Sequence, residues 1–137
     1  EIAEKYSDKI DLFGNGSEKP IERKEEALSD YMFTVVIENI SSENYFTEKI
    51  VDPALLGTVP IYWGCPNIDD FFEPQSYRAI SLDDPNPMET IRGIIEKPIS
   101  SGDIESLTRS RNKILDEYNI WEVVRKKILE IERCKNV

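Results

Sequence analysis

The sequence predicts an α/β fold with a parallel sheet, and three observations carry that expectation. Two short runs of β-branched and aromatic residues, Phe33–Ile37 and Val59–Trp63, have the length and composition of buried strands. Between them, residues 47–56 carry a capping threonine at the head and Gly57 just past the tail, so a helix joins the two strands and the pair runs parallel. The chain's 137 residues suit a single domain, residues 1–137.

Taken in order, residues 1–6 read as the tail of a helix. Residues 10–13 read as a strand, closed by the turn Gly14-Asn15-Gly16-Ser17, whose glycines permit positive φ. A lone Gly-x-Gly is weak evidence of phosphate binding. Residues 21–29 form a polar helix with Pro20 near its start. Phe33–Ile37 is apolar enough to be buried on both faces. In the helix over residues 47–56, Pro53 removes one hydrogen bond and bends the axis but spares the first turn, and Gly57 falls at the C′ position. Val59–Trp63 is the next strand, with Tyr62 and Trp63 read as core or sheet-end packing ahead of a sugar platform. Residues 67–72 form a short helix capped by Asn67, and residues 78–81 an edge strand. Asp83 and Asp84 invite a metal reading, but no third ligand is spaced nearby and Pro85 and Pro87 indicate a loop. A helix covers residues 88–96, residues 98–102 break the chain, and Asp103 caps a helix to Tyr118. The last helix, residues 120–134, places Ile120, Val123, Val124, Ile128 and Ile131 on one apolar stripe.

The chemistry gathers between the first two of these apolar runs. Thr47 is a good N-cap, so Glu48 and Lys49 fall in the first helical turn. A helix start offers unpaired N–H groups and partial positive charge, and Lys49 adds a full one, which together suit a pyrophosphate without any metal. Glu48 can accept two hydrogen bonds from vicinal ribose hydroxyls. Asn39, at the strand end, adds an amide, and Tyr45 an aromatic face. All four lie at the carboxyl edge of the expected sheet, where open α/β folds bind ligands. Taken by itself, Thr-Glu-Lys at a helix start is ordinary capping with solvated charge.

The larger pattern, Ile37-Glu38-Asn39, then Tyr45-Phe46-Thr47-Glu48-Lys49, then Val59-Pro60-Ile61-Tyr62-Trp63-Gly64, resembles the donor-binding signature of the family-10 glycosyltransferases, the α-1,3/4-fucosyltransferases. Upstream, residues 10–16 are similar to that family's glycine-terminated strand, and residues 24–33 to its helix leading into a Tyr-x-Phe strand. Downstream, residues 68–72 with Pro74, Ser76 and Tyr77 are similar to its acidic-aromatic turn. The resemblance covers residues 10–84. It implies the C-terminal, Rossmann-like domain of a two-domain GT-B enzyme, with helices on both faces of the sheet, that transfers fucose from GDP-fucose with inversion. Asn39, Tyr45, Glu48 and Lys49 would contact the donor, Lys49 on the diphosphate and Glu48 on the ribose. No catalytic residue and no metal or other cofactor are assigned to this chain. The family's general base belongs to an N-terminal acceptor domain, and it and a phosphate-binding arginine would both precede Glu1. The chain is therefore expected to be a fragment with negligible transfer activity by itself, its glycan acceptor bound through the missing domain. In the same family's architecture, the last helix crosses toward that domain and leaves part of its stripe uncovered.

Composition narrows the partners. A net charge of −10 argues against nucleic acid and anionic membranes, which need a basic footprint. No apolar run has the length of a membrane span. There is no histidine, which removes Ser-His-Asp chemistry, and Cys65 and Cys134 have no zinc spacing and read as free thiols of a reducing compartment. The expected location is the cytoplasm, including the periphery of the inner membrane in a bacterium, or the Golgi lumen in a eukaryote. Two rivals stay open: a glycosyltransferase domain using another nucleotide sugar, and a noncatalytic α/β binding module.

Overall fold

The structure, a computed structural model, describes residues 10–14 and 17–135. The expected helix tail at residues 1–6, and Asn15 and Gly16 of the glycine turn, lie outside the described residues. Three strands, β1 (Phe33–Ile37), β2 (Val59–Trp63) and β3 (Arg78–Ala79), form a parallel sheet in the order β1-β2-β3. Between the first two lies α1 (Glu48–Leu56), completing a βαβ unit of Rossmann-like kind. Then follow α2 (Pro87–Ile95), α3 (Ser101–Lys113), a π-helical turn (Ile114–Tyr118) and α4 (Ile120–Lys135).

The register pairs Phe33 with Val59 and Ile37 with Trp63, so the strand ends that precede and follow α1 lie side by side. Pro60 is tolerated in the central strand for a local reason. Val59 N–H donates to Met32 O on the β1 side, so alternation turns the missing Pro60 donor toward β3, which begins only opposite Ile61.

The core gathers on the α1 side of the sheet. Val36 and Tyr62 meet Ile50 and Ala54 of α1, Phe72 and Tyr77 from the β2–β3 connection, and Leu107 of α3. Helix α1 ends as expected, with Gly57 at φ +87 and both Gly57 N–H and Thr58 N–H reaching Pro53 O, a Schellman closure. On the opposite face, Ile91 and Ile95 of α2 border a cavity of about 660 Å³ together with Phe33, Val35 and Ile61. Helices therefore flank both faces.

Several expectations are corrected. β1 is not buried on both faces: as an edge strand it buries Val36 but leaves Val35 41% and Ile37 43% exposed. Residues 10–13 form no sheet strand; Phe13 makes one isolated bridge to Lys19, and Asp11 is tied to Lys19 and Tyr31. The polar helix over residues 21–29 is one 3-10 turn, Lys24–Ala27, because the run Glu22 to Glu26 offers no apolar stripe to bury. Asn67 does not cap its short 3-10 helix; its amide bonds Asn44 and Asp70 instead. Ser100, not Asp103, caps α3, and Asp103 closes the reciprocal capping box from the third helical position.

Candidate functional site

β1 ends beside β2, and Glu38 N–H continues the ladder one step by donating to Trp63 O at 3.0 Å. That bond turns the Glu38 side chain inward, where it is 3% exposed. Room for it comes from Gly64. A Cβ at residue 64 would lie 2.5 Å from Glu38 Cγ and 2.5 Å from the Tyr62 hydroxyl. A buried carboxylate needs hydrogen-bond donors, and Thr47 supplies them. Its backbone N–H donates to Glu38 Oε1 at 2.9 Å, and its hydroxyl sits 2.8 Å from Oε2.

Thr47 is also the N-cap of α1, as the sequence indicates, accepting from Lys49 N–H at 3.3 Å. From the first turn, the Lys49 ammonium reaches back across the loop and donates to Ile37 O and Asn39 Oδ1, both at 2.9 Å. An ammonium carries three donors. Two are fixed on the strand end, and among the described residues the third has no partner.

Of the four residues singled out beforehand, the structure thus joins Asn39 and Lys49. Glu48 is on the same turn but faces another way, 3.7 Å from the Lys24 ammonium, which bonds Asp52 one turn further on at 2.6 Å. Tyr45 is 37% exposed on the loop. Its neighbour Phe46 is the loop's anchor, packing on Phe71 at 5.0 Å, Phe72 at 5.5 Å and Tyr118 at 6.5 Å between ring centres. The π-helical turn places Tyr118 there. Asn44 takes a left-handed φ of 60, which asparagine tolerates, and is held by Asn67 in a reciprocal amide pair.

Glu38 stands in the sequence pattern quoted above, but no role was assigned to it there. A charged residue directly after an apolar strand, with a glycine directly after the paired strand, was the available signal. Tyr62 and Cys65 form the floor: the Tyr62 hydroxyl accepts from Cys65 N–H at 2.9 Å, and burial pushes the phenol up to about 12. Burial, reinforced by its 2.5 Å hydrogen bond to Asp69, likewise raises Tyr77. Cys65 and Cys134 are both free thiols, the first buried and the second exposed.

The polar groups form an open shelf at the sheet's carboxyl edge, not part of the cavity beside α2. Among the described residues no three His, Cys, Asp or Glu side chains gather as a metal cluster, and no helix is long and apolar enough to cross a membrane. The Asp84 carboxylate instead accepts from Asn86 N–H and the Thr90 hydroxyl.

Fold and site together define a parallel α/β domain whose polar groups converge at the strand–helix turn where open sheets bind ligands. Residues 3–93 match the sequence model of glycosyltransferase family 10 (fucosyltransferase), C-terminal part, and the chain belongs to that family. An alpha-(1,3)-fucosyltransferase of Helicobacter pylori is 42% identical over 57 residues, which are 42% of this chain and 12% of that protein. Crystal structures of an alpha1,3-fucosyltransferase superpose with a TM-score of 0.52: the one with GDP at 32% identity, the one with GDP-fucose at 27%. Each match covers 66% of this chain and 26% of the solved one.

Proposed function

We propose that this chain is the donor-binding domain of an inverting fucosyltransferase that takes fucose from GDP-fucose, residues 1–137 being one nucleotide-sugar-binding unit. The observation that carries this reading is the Lys49 ammonium, held by two bonds at the strand end beside the start of α1 with one donor left over. The relatives solved with GDP and with GDP-fucose support the choice of nucleotide.

In this reading Lys49 and the N–H groups of the first helical turn meet the diphosphate. Asn39 orients the lysine and contacts the donor. Glu48 takes the ribose hydroxyls, which requires it to leave Lys24; that exposed pair at 3.7 Å is weak and gives way at little cost. Tyr45 offers its ring to the donor from the loop. An acceptor hydroxyl displaces the diphosphate at the anomeric carbon, with the base supplied by an acceptor-binding domain outside this chain. The contribution of these residues is to stabilise negative charge as it grows on the leaving diphosphate. The reading assigns no metal to that task.

Calorimetry with GDP, UDP and inorganic pyrophosphate tests it. GDP binding tighter than UDP is expected. A preference for UDP favours a domain for another nucleotide sugar, and silence toward all three points to a noncatalytic module.

A further inference from the structure

We infer that Glu38 is a positioning residue for Lys49: its buried carboxylate locks the start of α1 onto the end of β1 and so fixes where the lysine ammonium sits. The inference rests on the donor-binding reading above, in that Lys49 is taken as the group that meets the diphosphate.

Five residues close a circuit of hydrogen bonds. Glu38 accepts from Thr47, Thr47 accepts from Lys49 N–H, and the Lys49 ammonium returns to Ile37 O and Asn39, on either side of Glu38. The circuit joins the two ends of the loop at residues 39–46. The direction of the protons matters. A hydroxyl has one proton, and a carboxylate can only accept, so the Thr47 hydroxyl must donate to Glu38. Its lone pairs then face Lys49 N–H, the group it has to accept from. The carboxylate thus sets the polarity of the cap as well as its place.

Burying a carboxylate is costly, and Thr47 alone would serve as an ordinary N-cap. The chain nonetheless keeps Glu38 3% exposed and leaves residue 64 without a side chain, which makes the space for it. What Glu38 adds is registration between strand and helix, and Lys49 is the side chain that spans the two.

The test compares wild type with Glu38→Gln, which can turn its NH2 toward the Thr47 hydroxyl and reverse the direction of that bond, and Gly64→Ala, which crowds Glu38, and the Tyr62 hydroxyl beside it, without changing either. Thr47→Ser serves as the conservative variant. Three quantities are read: Tm, GDP affinity of the folded protein, and the nuclear magnetic resonance signals of the two Lys49 ε-methylene protons without nucleotide. These protons are distinct when the ammonium is held and average when it is not. Glu38→Gln and Gly64→Ala should merge the two signals and weaken GDP binding about tenfold, with Thr47→Ser within about twofold of wild type. If Tm falls while the Lys49 signals stay distinct, or while GDP affinity stays at the wild-type value, Glu38 is structural only and the inference is overturned. If wild type fails to bind GDP yet the signals merge in Glu38→Gln, the positioning role holds and the nucleotide reading falls.

Discussion

Replacing Lys49 by methionine separates binding from folding, because the two uses of this side chain differ in strength. Its bonds to Ile37 O and Asn39 Oδ1 lie at the exposed rim of the sheet, where water replaces them. Their loss should cost less than about 1 kcal/mol of stability. The methionine keeps most of the aliphatic stem and its packing. Under the proposed function, the ammonium's contact with a diphosphate is a charge-assisted hydrogen bond, worth about 1.5–3 kcal/mol. That range corresponds to roughly 10- to 150-fold in Kd. Lys49→Met is therefore expected to weaken GDP at least about tenfold while moving Tm by only a few degrees. Titration calorimetry at low and at physiological salt gives the first quantity and thermal unfolding the second. Screening should reduce wild-type affinity more than the variant's, because the variant lacks the charge. Equal GDP affinity for wild type and Lys49→Met, with both proteins folded, would refute the assignment of Lys49 to the diphosphate.

Four further outcomes follow from the geometry. Gly57→Ala should lose about 1 kcal/mol in urea unfolding: nothing lies near its added Cβ, but φ is +87, and unaltered stability would contradict the left-handed closure. Ser100→Ala removes the cap of α3 and should cost about 1 kcal/mol by the same measurement. Asp103 is held below its ordinary 3.8, first by Ser100 N–H and then by the Ser100 hydroxyl and Arg78. Because the folded value is the lower one, its stabilisation is full above the unfolded pKa and disappears as pH falls through the folded value. Asp103→Asn should therefore flatten the decline in urea midpoint below about pH 4, and an unchanged acid limb would count against the Ser100–Asp103–Arg78 contact. Trp121→Ser should change stability by less than about 0.5 kcal/mol, since the indole is 81% exposed; a large loss would mean that α4 packs on this domain.

The βαβ unit was legible because its signals are local. A β-branched run, a threonine cap, a glycine closure and a second apolar run each act within a few residues of themselves. Residues 10–13 misled because a strand needs a neighbour, and no paired strand stands beside them among the described residues. Asn67 misled for a related reason. It has the right side chain for a cap, but Asn44, distant in sequence, competes for its amide and wins. The helix α4 forms as expected, but Ile120, Val123, Val124, Ile128 and Ile131 all lie exposed, more of the stripe than the part that the resemblance implied. Lys49 and Asn39, which the structure joins, stood out in the sequence because their residue types state their chemistry. Glu38 was harder to place, since its burial depends on the absence of a side chain at residue 64, just past the end of the paired strand.

Two glutamates bracket the turn at the head of α1, and their surroundings divide the labour between them. Glu38 is sealed, with its acceptors occupied by one threonine, so it is unsuited to exchanging partners with a ligand that comes and goes. Glu48 is exposed and loosely paired with Lys24, so it can release that partner and take a hydroxyl at little cost. Under the proposed function, the site has to bind and release its donor on every turnover, yet present its charge in one place. Rigid groups therefore belong beneath the lysine and exchangeable ones beside it. Identity alone does not assign a role: a buried Glu48 would lose its reach to solvent, and on the positioning inference an exposed Glu38 would leave Lys49 free to wander.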